Sequence, residues 1–190
     1  MPIPLNCPNC DRPVTLETEV CPGCHQPITL SSISLRGLTP LHLNHRAGAY
    51  MSALAANPGN QTLNCSLGTC FAGLHLYDKA IACFEKAIEA FAGSADTYFL
   101  AAVCLLRGKT PYMAKRSDID KAVEYLNAAN MLEPKAVYFY LLGYIKQEYF
   151  ERKYLNVTPN AEQEFASAKE MGIYNEEIEE LNELLNIQKP

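Results

Sequence analysis

From residue 40 onward, apolar residues recur every three or four positions in short segments separated by polar, glycine- or proline-containing turns. This spacing gathers apolar side chains on one face of an α-helix. Thr39-Pro40 is typical of an N-cap followed by the first helical turn, so the first helix is expected to begin there. The pattern predicts eight amphipathic helices, near residues 40–57, 61–73, 77–91, 95–107, 118–131, 136–152, 160–171 and 174–187.

The first thirty residues lack this helical period and instead contain short β-prone runs. These runs are Ile3–Leu5, Val14–Leu16 and Pro27–Leu30. Residues 31–39 have the composition of a loop. The chain is therefore expected to consist of a small β module at 1–30, a linker at 31–39 and a helical domain at 40–190.

Two pairs of cysteines with a two-residue gap lie in the β module: Cys7 and Cys10, then Cys21 and Cys24. Zn²⁺ prefers tetrahedral coordination, and cysteine thiolates are good ligands for it. The two-residue gap lets both sulfurs of one turn point at the same ion, and Gly23 is expected to take a left-handed conformation in the second turn. The pattern predicts a structural Zn²⁺ held by all four thiolates, with His25 left exposed.

The segment resembles the very short zinc-ribbon domains found at the N-termini of many bacterial proteins. A module this short cannot build an adequate apolar core. The metal is therefore expected to supply much of its folding energy. A redox role for the Cys-x-x-Cys pairs is the alternative. Nucleic-acid binding by the ribbon is a second alternative, although Arg12 is its only basic residue.

A repeat with a period of 34 residues runs through the helical domain. In one copy its marker positions are Leu67, Gly68, Phe71, Tyr77, Ala80, Phe84 and Ala87. Their spacing and residue types resemble the tetratricopeptide repeat, a pair of antiparallel helices. The resemblance implies a mainly α fold, a tetratricopeptide-like α-solenoid in which helix pairs stack into a right-handed superhelix, preceded by the small β zinc ribbon. The last predicted helix, with glutamates on its polar face, is expected to cap the array.

The flanking repeats depart from the pattern in two ways. Residues 40–57 match only the second helix of a repeat, and Arg46 stands at its small-residue position, which suits a terminal helix with one face free. Downstream, the second helix of each following repeat arrives late, which predicts insertions near Gly108–Ser117 and Arg152–Pro159.

The first helix of each repeat lines the concave face in tetratricopeptide proteins, which implies where a partner would bind here. The corresponding positions are Thr62, Cys65, Thr69 and Ala72, then Asp96, Phe99, Val103 and Leu106, then Val137, Tyr140, Tyr144 and Gln147. This lining is mostly apolar and suits an amphipathic helix or an extended peptide. The alternative is that these apolar side chains are simply buried.

The two insertions supply a second candidate surface with basic and aromatic residues. Its members are Lys109, Tyr112, Lys115, Arg116, Arg152 and Lys153. Both insertions follow the first helix of a repeat, so they are expected to lie on the same edge of the array. An anionic or protein contact on that edge is one interpretation, and tolerated loop elongation is the other.

The sequence contains no recognisable catalytic motif, and its ten glycines are dispersed rather than gathered in a phosphate loop. Cys65, Cys70, Cys83 and Cys104 lie in apolar helical segments and are expected to be buried, inert thiols. The net charge of −5 argues against a general nucleic-acid footprint. The sequence thus predicts a non-enzymatic adaptor or scaffold that binds a protein or peptide.

Three further questions stay open at this level. A nucleic-acid-linked regulator and a regulatory subunit of an enzyme are alternative functions, and self-association is not excluded. Because the N-terminus shows no signal-peptide pattern and no apolar run is long enough to span a bilayer, a cytoplasmic location is expected. The end at Pro190, directly after a helical pattern, also leaves open a longer parent protein with a membrane anchor.

Overall fold

A computed structural model describes residues 4–15, 17–30, 38–90 and 94–185. Several positions of the predicted segments lie outside these ranges, namely Ile3, Leu16, linker residues 31–37, residue 91 and residues 186–187. The chain divides into two compact units, Met1–Gly93 and Ser94–Pro190. The ribbon therefore belongs to the same compact unit as the first three helices.

The ribbon contains two short antiparallel strands, β1 (Pro4–Asn6) and β2 (Pro13–Thr15), with Leu5 opposite Val14. The β-prone run Pro27–Leu30 does not form a strand, so the expectation of a third strand is wrong. Only an isolated bridge between Val20 and Pro27 forms there among the described residues. The small core of the ribbon consists of Leu5, Cys7, Cys21 and Ile28, so two of its members are predicted metal ligands.

Three helices complete the first unit: α1 (Pro40–Ala56), α2 (Gln61–Gly73) and α3 (Tyr77–Ala90). The expected N-cap is confirmed, because Thr39 Oγ1 accepts a hydrogen bond from the His42 amide at 3.3 Å. Helices α2 and α3 pack against each other, and their close approach depends on Gly68. A Cβ atom there would lie 2.8 Å from Cε1 of Phe84.

Five helices form the second unit: α4 (Ala95–Leu105), α5 (Arg116–Leu132), α6 (Ala136–Ile145), α7 (Ala161–Glu170) and α8 (Asn175–Leu184). Helix α4 packs on α5, and α6 packs on α7. Gly143 repeats the role of Gly68, because its Cβ would lie 2.8 Å from the Phe165 ring. Helix α8 packs against α6 and buries Leu181 and Leu185. The eight predicted helices are confirmed within the described residues.

Both predicted insertions are structured. The first contains a 3₁₀ turn at Pro111–Met113. In the second, α6 continues through a π-helical turn, Lys146–Phe150, and a 3₁₀ turn, Glu151–Lys153, before Tyr154 reverses the chain with a φ of 57°. A buried ion pair fixes this segment to α7, because the Lys146 ammonium donates to Glu164 and to the Pro159 carbonyl.

None of the described helices combines the length and the apolar composition that crossing a bilayer would require. The prediction for the scattered cysteines is confirmed as regards burial: Cys65, Cys70, Cys83 and Cys104 are all buried free thiols. Burial raises the pKa of Cys70 and of Cys104 to about 12, so both stay protonated at neutral pH.

Candidate metal centre and binding surfaces

The two Cys-x-x-Cys segments fold into matching turns. In the first, the amide of Asp11 donates to the Cys7 carbonyl at 3.0 Å, and in the second the amide of His25 donates to the Cys21 carbonyl at 2.9 Å. The residue after each second cysteine is left-handed, with φ values of 57° at Asp11 and 56° at His25. The same backbone geometry therefore presents a pair of sulfurs twice.

The prediction for Gly23 is wrong, since the left-handed residue of the second turn is His25, which is exposed as expected. Gly23 is instead in close contact with the Arg12 side chain, and a Cβ atom would lie 2.6 Å from Arg12 Nε. The absence of a side chain lets the guanidinium lie against the second turn.

The four cysteine sulfurs converge on one point. Each of them lies within 4.8 Å of the other three. The Cys7–Cys24 and Cys10–Cys21 sulfur distances are 3.6 and 3.7 Å. A tetrahedral Zn²⁺ with bonds of about 2.3 Å requires sulfur–sulfur distances of about 3.8 Å. The donor set and its spacing therefore fit a structural zinc ion, and these contacts across the two turns favour one shared ion over two separate redox pairs.

Backbone amides prepare two of the thiols for metal binding. The amides of Cys24 and Gly23 lower the pKa of Cys21 to about 6, and the amide of Gln26 lowers the pKa of Cys24. Burial raises the pKa of Cys7 to about 12. Zinc binds the thiolate, so a bound dication would supply the charge that keeps Cys7 deprotonated in this apolar surrounding.

Three side chains of α1 bind the ribbon through its backbone carbonyls. Tyr50 donates to the Ile28 carbonyl at 2.6 Å, and Arg46 Nη1 donates to the Pro27 carbonyl at 2.9 Å. His45 Nδ1 lies 2.9 Å from the Pro8 carbonyl, inside the first cysteine turn. The expectation of a free face at Arg46 is wrong, because Arg46 is only 1% exposed. The sequence does contain an indication of this contact, because Arg46 stands where the repeat has a small residue.

The predicted concave positions separate into buried and accessible side chains. Thr62 and Gln147 are exposed, and Asp96, Tyr140 and Tyr144 are half-buried. The remaining ones are buried: Cys65, Thr69, Ala72, Phe99, Val103, Leu106 and Val137. A buried side chain cannot contact a partner in this conformation, so only the first five are available for binding.

The neighbouring hairpins of the second unit contact each other through their first helices. The rings of Phe99 in α4 and Tyr138 in α6 lie 4.8 Å apart. Asp96 accepts hydrogen bonds from the Tyr138 hydroxyl at 2.6 Å and from the Lys135 ammonium at 3.0 Å. Tyr140 packs on the other side, with its ring 5.4 Å from that of Phe165. These contacts hold the α6 side chains in fixed positions.

The two insertions meet, as their order in the repeats predicts. The Arg152 guanidinium lies 4.6 Å from the centre of the Tyr112 ring. The Lys153 ammonium lies 5.0 Å from the same ring and 3.7 Å from the Tyr149 ring. Residues 108–117 and 148–159 thus form one continuous surface, which we name the insertion edge.

The other predicted members of this surface lie around that contact. The Arg116 guanidinium is 5.2 Å from the centre of the Phe150 ring. Lys109 and Lys115 are exposed and line a recess of about 260 Å³ next to Met113. The insertion edge therefore brings together all six residues named from the sequence.

Comparison with known proteins places the fold but not the function. No protein family matches the sequence, and no curated protein matches it. A crystal structure of MamA has a TM-score of 0.51 and 21% identity, covering 76% of this chain and 87% of that chain. The MamA MSR-1 C2 structure has a TM-score of 0.45 and 17% identity, covering 75% of this chain and 67% of that chain.

A third similar structure is that of YrrB, described as a TPR protein with an unusual peptide-binding site. Its TM-score is 0.36 with 16% identity, covering 75% of this chain and 84% of that chain. At these identities the likeness concerns the fold alone. The helical part of the chain has a tetratricopeptide-type fold.

Proposed function

We propose that this chain, which has a tetratricopeptide-type fold, is a non-enzymatic adaptor that holds a peptide or protein against the first helices of its repeats. The observation that carries the proposal is the set of ordered but accessible side chains on α6 and the π-helical turn that continues it, namely Tyr140, Tyr144 and Gln147. Tyrosine supplies a large contact area with a polar tip at a small cost in conformational entropy, which suits recognition of another chain.

The same surface extends to α4 through Asp96. This carboxylate is already oriented by Tyr138 and Lys135, yet about a third of its side chain stays exposed, with a value of 36%. A fixed and partly accessible carboxylate can accept a hydrogen bond from the backbone or from a cationic side chain of a bound segment. Thr62, exposed near the start of α2, is the corresponding accessible position of the first unit.

We further propose that the ribbon binds one structural Zn²⁺ through Cys7, Cys10, Cys21 and Cys24. Four thiolates complete the tetrahedral coordination and leave no position for a reacting water, so the metal would supply folding energy rather than catalysis. The ribbon would act as an N-terminal cap, because α1 binds it through Tyr50, Arg46 and His45. A reducing cytoplasm suits four reduced thiols.

The test is affinity capture with the zinc-loaded full chain as bait, followed by quantitative mass spectrometry. The bait variant is Tyr140→Ala with Gln147→Ala, which removes accessible contact area from α6. The matched control is Met131→Ala on α5, because Met131 is a large side chain that is 87% exposed on a second helix. A partner that is lost with the α6 variant and kept with the control supports the proposal.

Equal capture by all three baits would overturn the groove assignment. Direct titration of the captured partner then separates binding from indirect association. Binding to α6 should weaken by at least about tenfold in the double variant, since buried aromatic contacts contribute roughly 2 kcal/mol or more at interface centres.

A further inference from the structure

The insertion edge exposes large apolar side chains as well as cations. Tyr112 is 40% exposed, Met113 is 70% exposed and Tyr154 is 95% exposed, and Leu155 follows at 39%. All four lie on the insertion edge, because Tyr112 contacts Arg152 and Lys153, which directly precede Tyr154. Large apolar groups that cluster on one exposed surface are typical of an interaction site.

The charges of the insertion edge are not balanced within the described residues. Its arginines have carboxylate partners: Arg116 pairs with Asp120 at 2.8 Å, and Arg152 pairs with Glu148 at 2.6 Å. Asp118 also has a partner, because its Oδ2 lies 3.8 Å from Nε of Arg107. The lysines differ, since Lys109, Lys115 and Lys153 have no carboxylate within ion-pair distance among residues 94–185. Three unneutralised cations therefore remain on a chain whose net charge is −5.

A recess lies between two of these lysines. It is lined by Lys109, Lys115 and Met113, by the buried Leu105 and Leu106, and by Ala114 and the Arg107–Asp118 ion pair. Its volume of about 260 Å³ falls below the roughly 300–1,000 Å³ of sites that enclose a drug-sized molecule. A recess of this size, with Leu105, Leu106 and Met113 among its lining residues, has room for a single large apolar side chain.

We propose that the insertion edge is a docking site for an acidic linear segment of a partner protein, with one large apolar side chain seated in the recess between Lys109 and Lys115. Carboxylates of the segment would pair with the three lysines, and its apolar groups would cover Met113, Tyr112 and Tyr154. This site adjoins the accessible side chains of the adaptor surface, because Tyr144 lies near Glu148 and Arg152. Lys109 and Lys115 are not part of that surface, so substitutions there test the docking site by itself.

A linear segment fits this surface better than an anionic bilayer does. Asp118, Asp120, Glu148 and Glu151 lie among the cations, and a flat anionic surface would approach all of them at once. A bilayer attracts a protein through several unpaired basic groups near its surface, and the paired arginines add little to that attraction. A flexible chain can place its carboxylates at the lysines and avoid the acidic groups.

The experiment uses the full zinc-loaded chain and fluorescence anisotropy at low ionic strength. The probe is a short fluorescein-labelled peptide of glutamate and aspartate with one central phenylalanine. Two control peptides replace the acidic residues with glutamine and asparagine, or the phenylalanine with alanine. The protein variant is Lys109→Gln with Lys115→Gln, and its matched control is Lys86→Gln with Lys169→Gln, which makes the same charge change at two other exposed lysines.

The acidic phenylalanine peptide should bind more tightly than either control peptide. The Lys109→Gln, Lys115→Gln variant should bind it roughly 2- to 30-fold more weakly, because it lacks two exposed charge pairs. The Lys86→Gln, Lys169→Gln protein should match the wild type. Equal weakening in both variants, or no preference among the peptides, overturns the proposal.

Two further measurements test whether the insertion edge binds something other than an acidic segment. Co-sedimentation with vesicles of phosphatidylserine and phosphatidylcholine that depends on Lys109 and Lys115, without peptide binding, would assign the edge to a membrane surface. Sedimentation analysis that shows self-association lost in the same variant, again without peptide binding, would assign it to a second copy of the chain. Either result replaces the acidic segment as the partner.

Discussion

Replacing Tyr50 with phenylalanine tests whether the zinc ribbon and α1 form one cooperative structure. The Tyr50 hydroxyl donates to the Ile28 carbonyl at 2.6 Å, and both residues are 0% exposed. Without the hydroxyl, the carbonyl stays buried and loses this donor. An unsatisfied buried polar group costs about 1–3 kcal/mol, so the opening of α1 should become easier by that amount.

The size of the effect should depend on zinc. Among the described residues, the buried core of the ribbon consists of four residues, two of which are predicted metal ligands. Without zinc such a module is not expected to stay folded, so the Ile28 carbonyl would already be solvated. We therefore expect Tyr50→Phe to reduce the stability of α1 by about 1–3 kcal/mol in the zinc-loaded protein and to change it little after chelation.

Hydrogen exchange of the α1 amides, measured by mass spectrometry with zinc and with excess chelator, reports this difference locally. The matched control is Tyr138→Phe in the second unit, whose hydroxyl donates to Asp96 at the same distance of 2.6 Å. The change in stability that Tyr138→Phe causes in α6 should be the same with and without zinc. If Tyr50→Phe destabilises α1 equally in both conditions, the ribbon does not depend on the metal for its contact with the helix, and the capping role is refuted.

Three other predictions follow from single contacts. Because burial raises the pKa of Cys104 to about 12, that thiol should resist iodoacetamide in the native protein at neutral pH and react only after unfolding; labelling of the native chain at Cys104 would contradict the burial. Lys146→Met should lower the free energy of unfolding by about 3–5 kcal/mol in urea titrations, because Glu164 is left buried and unpaired, whereas adding Glu164→Met should recover most of the loss. Gly68→Ala should destabilise by about 1–3 kcal/mol through contact with a phenylalanine ring, while Gly48→Ala, with nothing within 4 Å, should stabilise by roughly 0.5–1 kcal/mol; thermal unfolding of the two variants must show opposite signs.

The helices could be predicted because two local signals coincide. The apolar period marks each helical face, and side-chain caps mark where helices begin, as at Thr39, Asn60 and Asn160. At the end of α6 the predicted bounds are wrong, because the helix predicted through residue 152 ends as an α-helix at Ile145. The apolar pattern does continue there, but the backbone changes to a π-helical turn and then a 3₁₀ turn, which sequence periodicity does not distinguish.

The partner-binding positions could be predicted only in part, for a physical reason. An apolar residue on a first helix can face a groove or pack against the next first helix, and the sequence period is the same in both cases. Phe99 illustrates the second outcome, since its ring contacts Tyr138. Tyr140, two residues further along α6, stays half-buried and accessible.

Arg46 shows how a residue that violates a repeat pattern can indicate an unseen contact. Ala80 occupies the same repeat position one period later and is fully buried. Arg46 is almost as buried, but its Nη1 binds the Pro27 carbonyl while Nε and Nη2 have no hydrogen-bond partner in the described part of the chain. A buried guanidinium with so few partners is costly, whereas an alanine would need none. A neighbouring module that offers carbonyl groups suits this position, and the ribbon offers the Pro27 carbonyl to Arg46. The ribbon is accordingly part of the first repeat's packing, and its stability and that of α1 should rise and fall together.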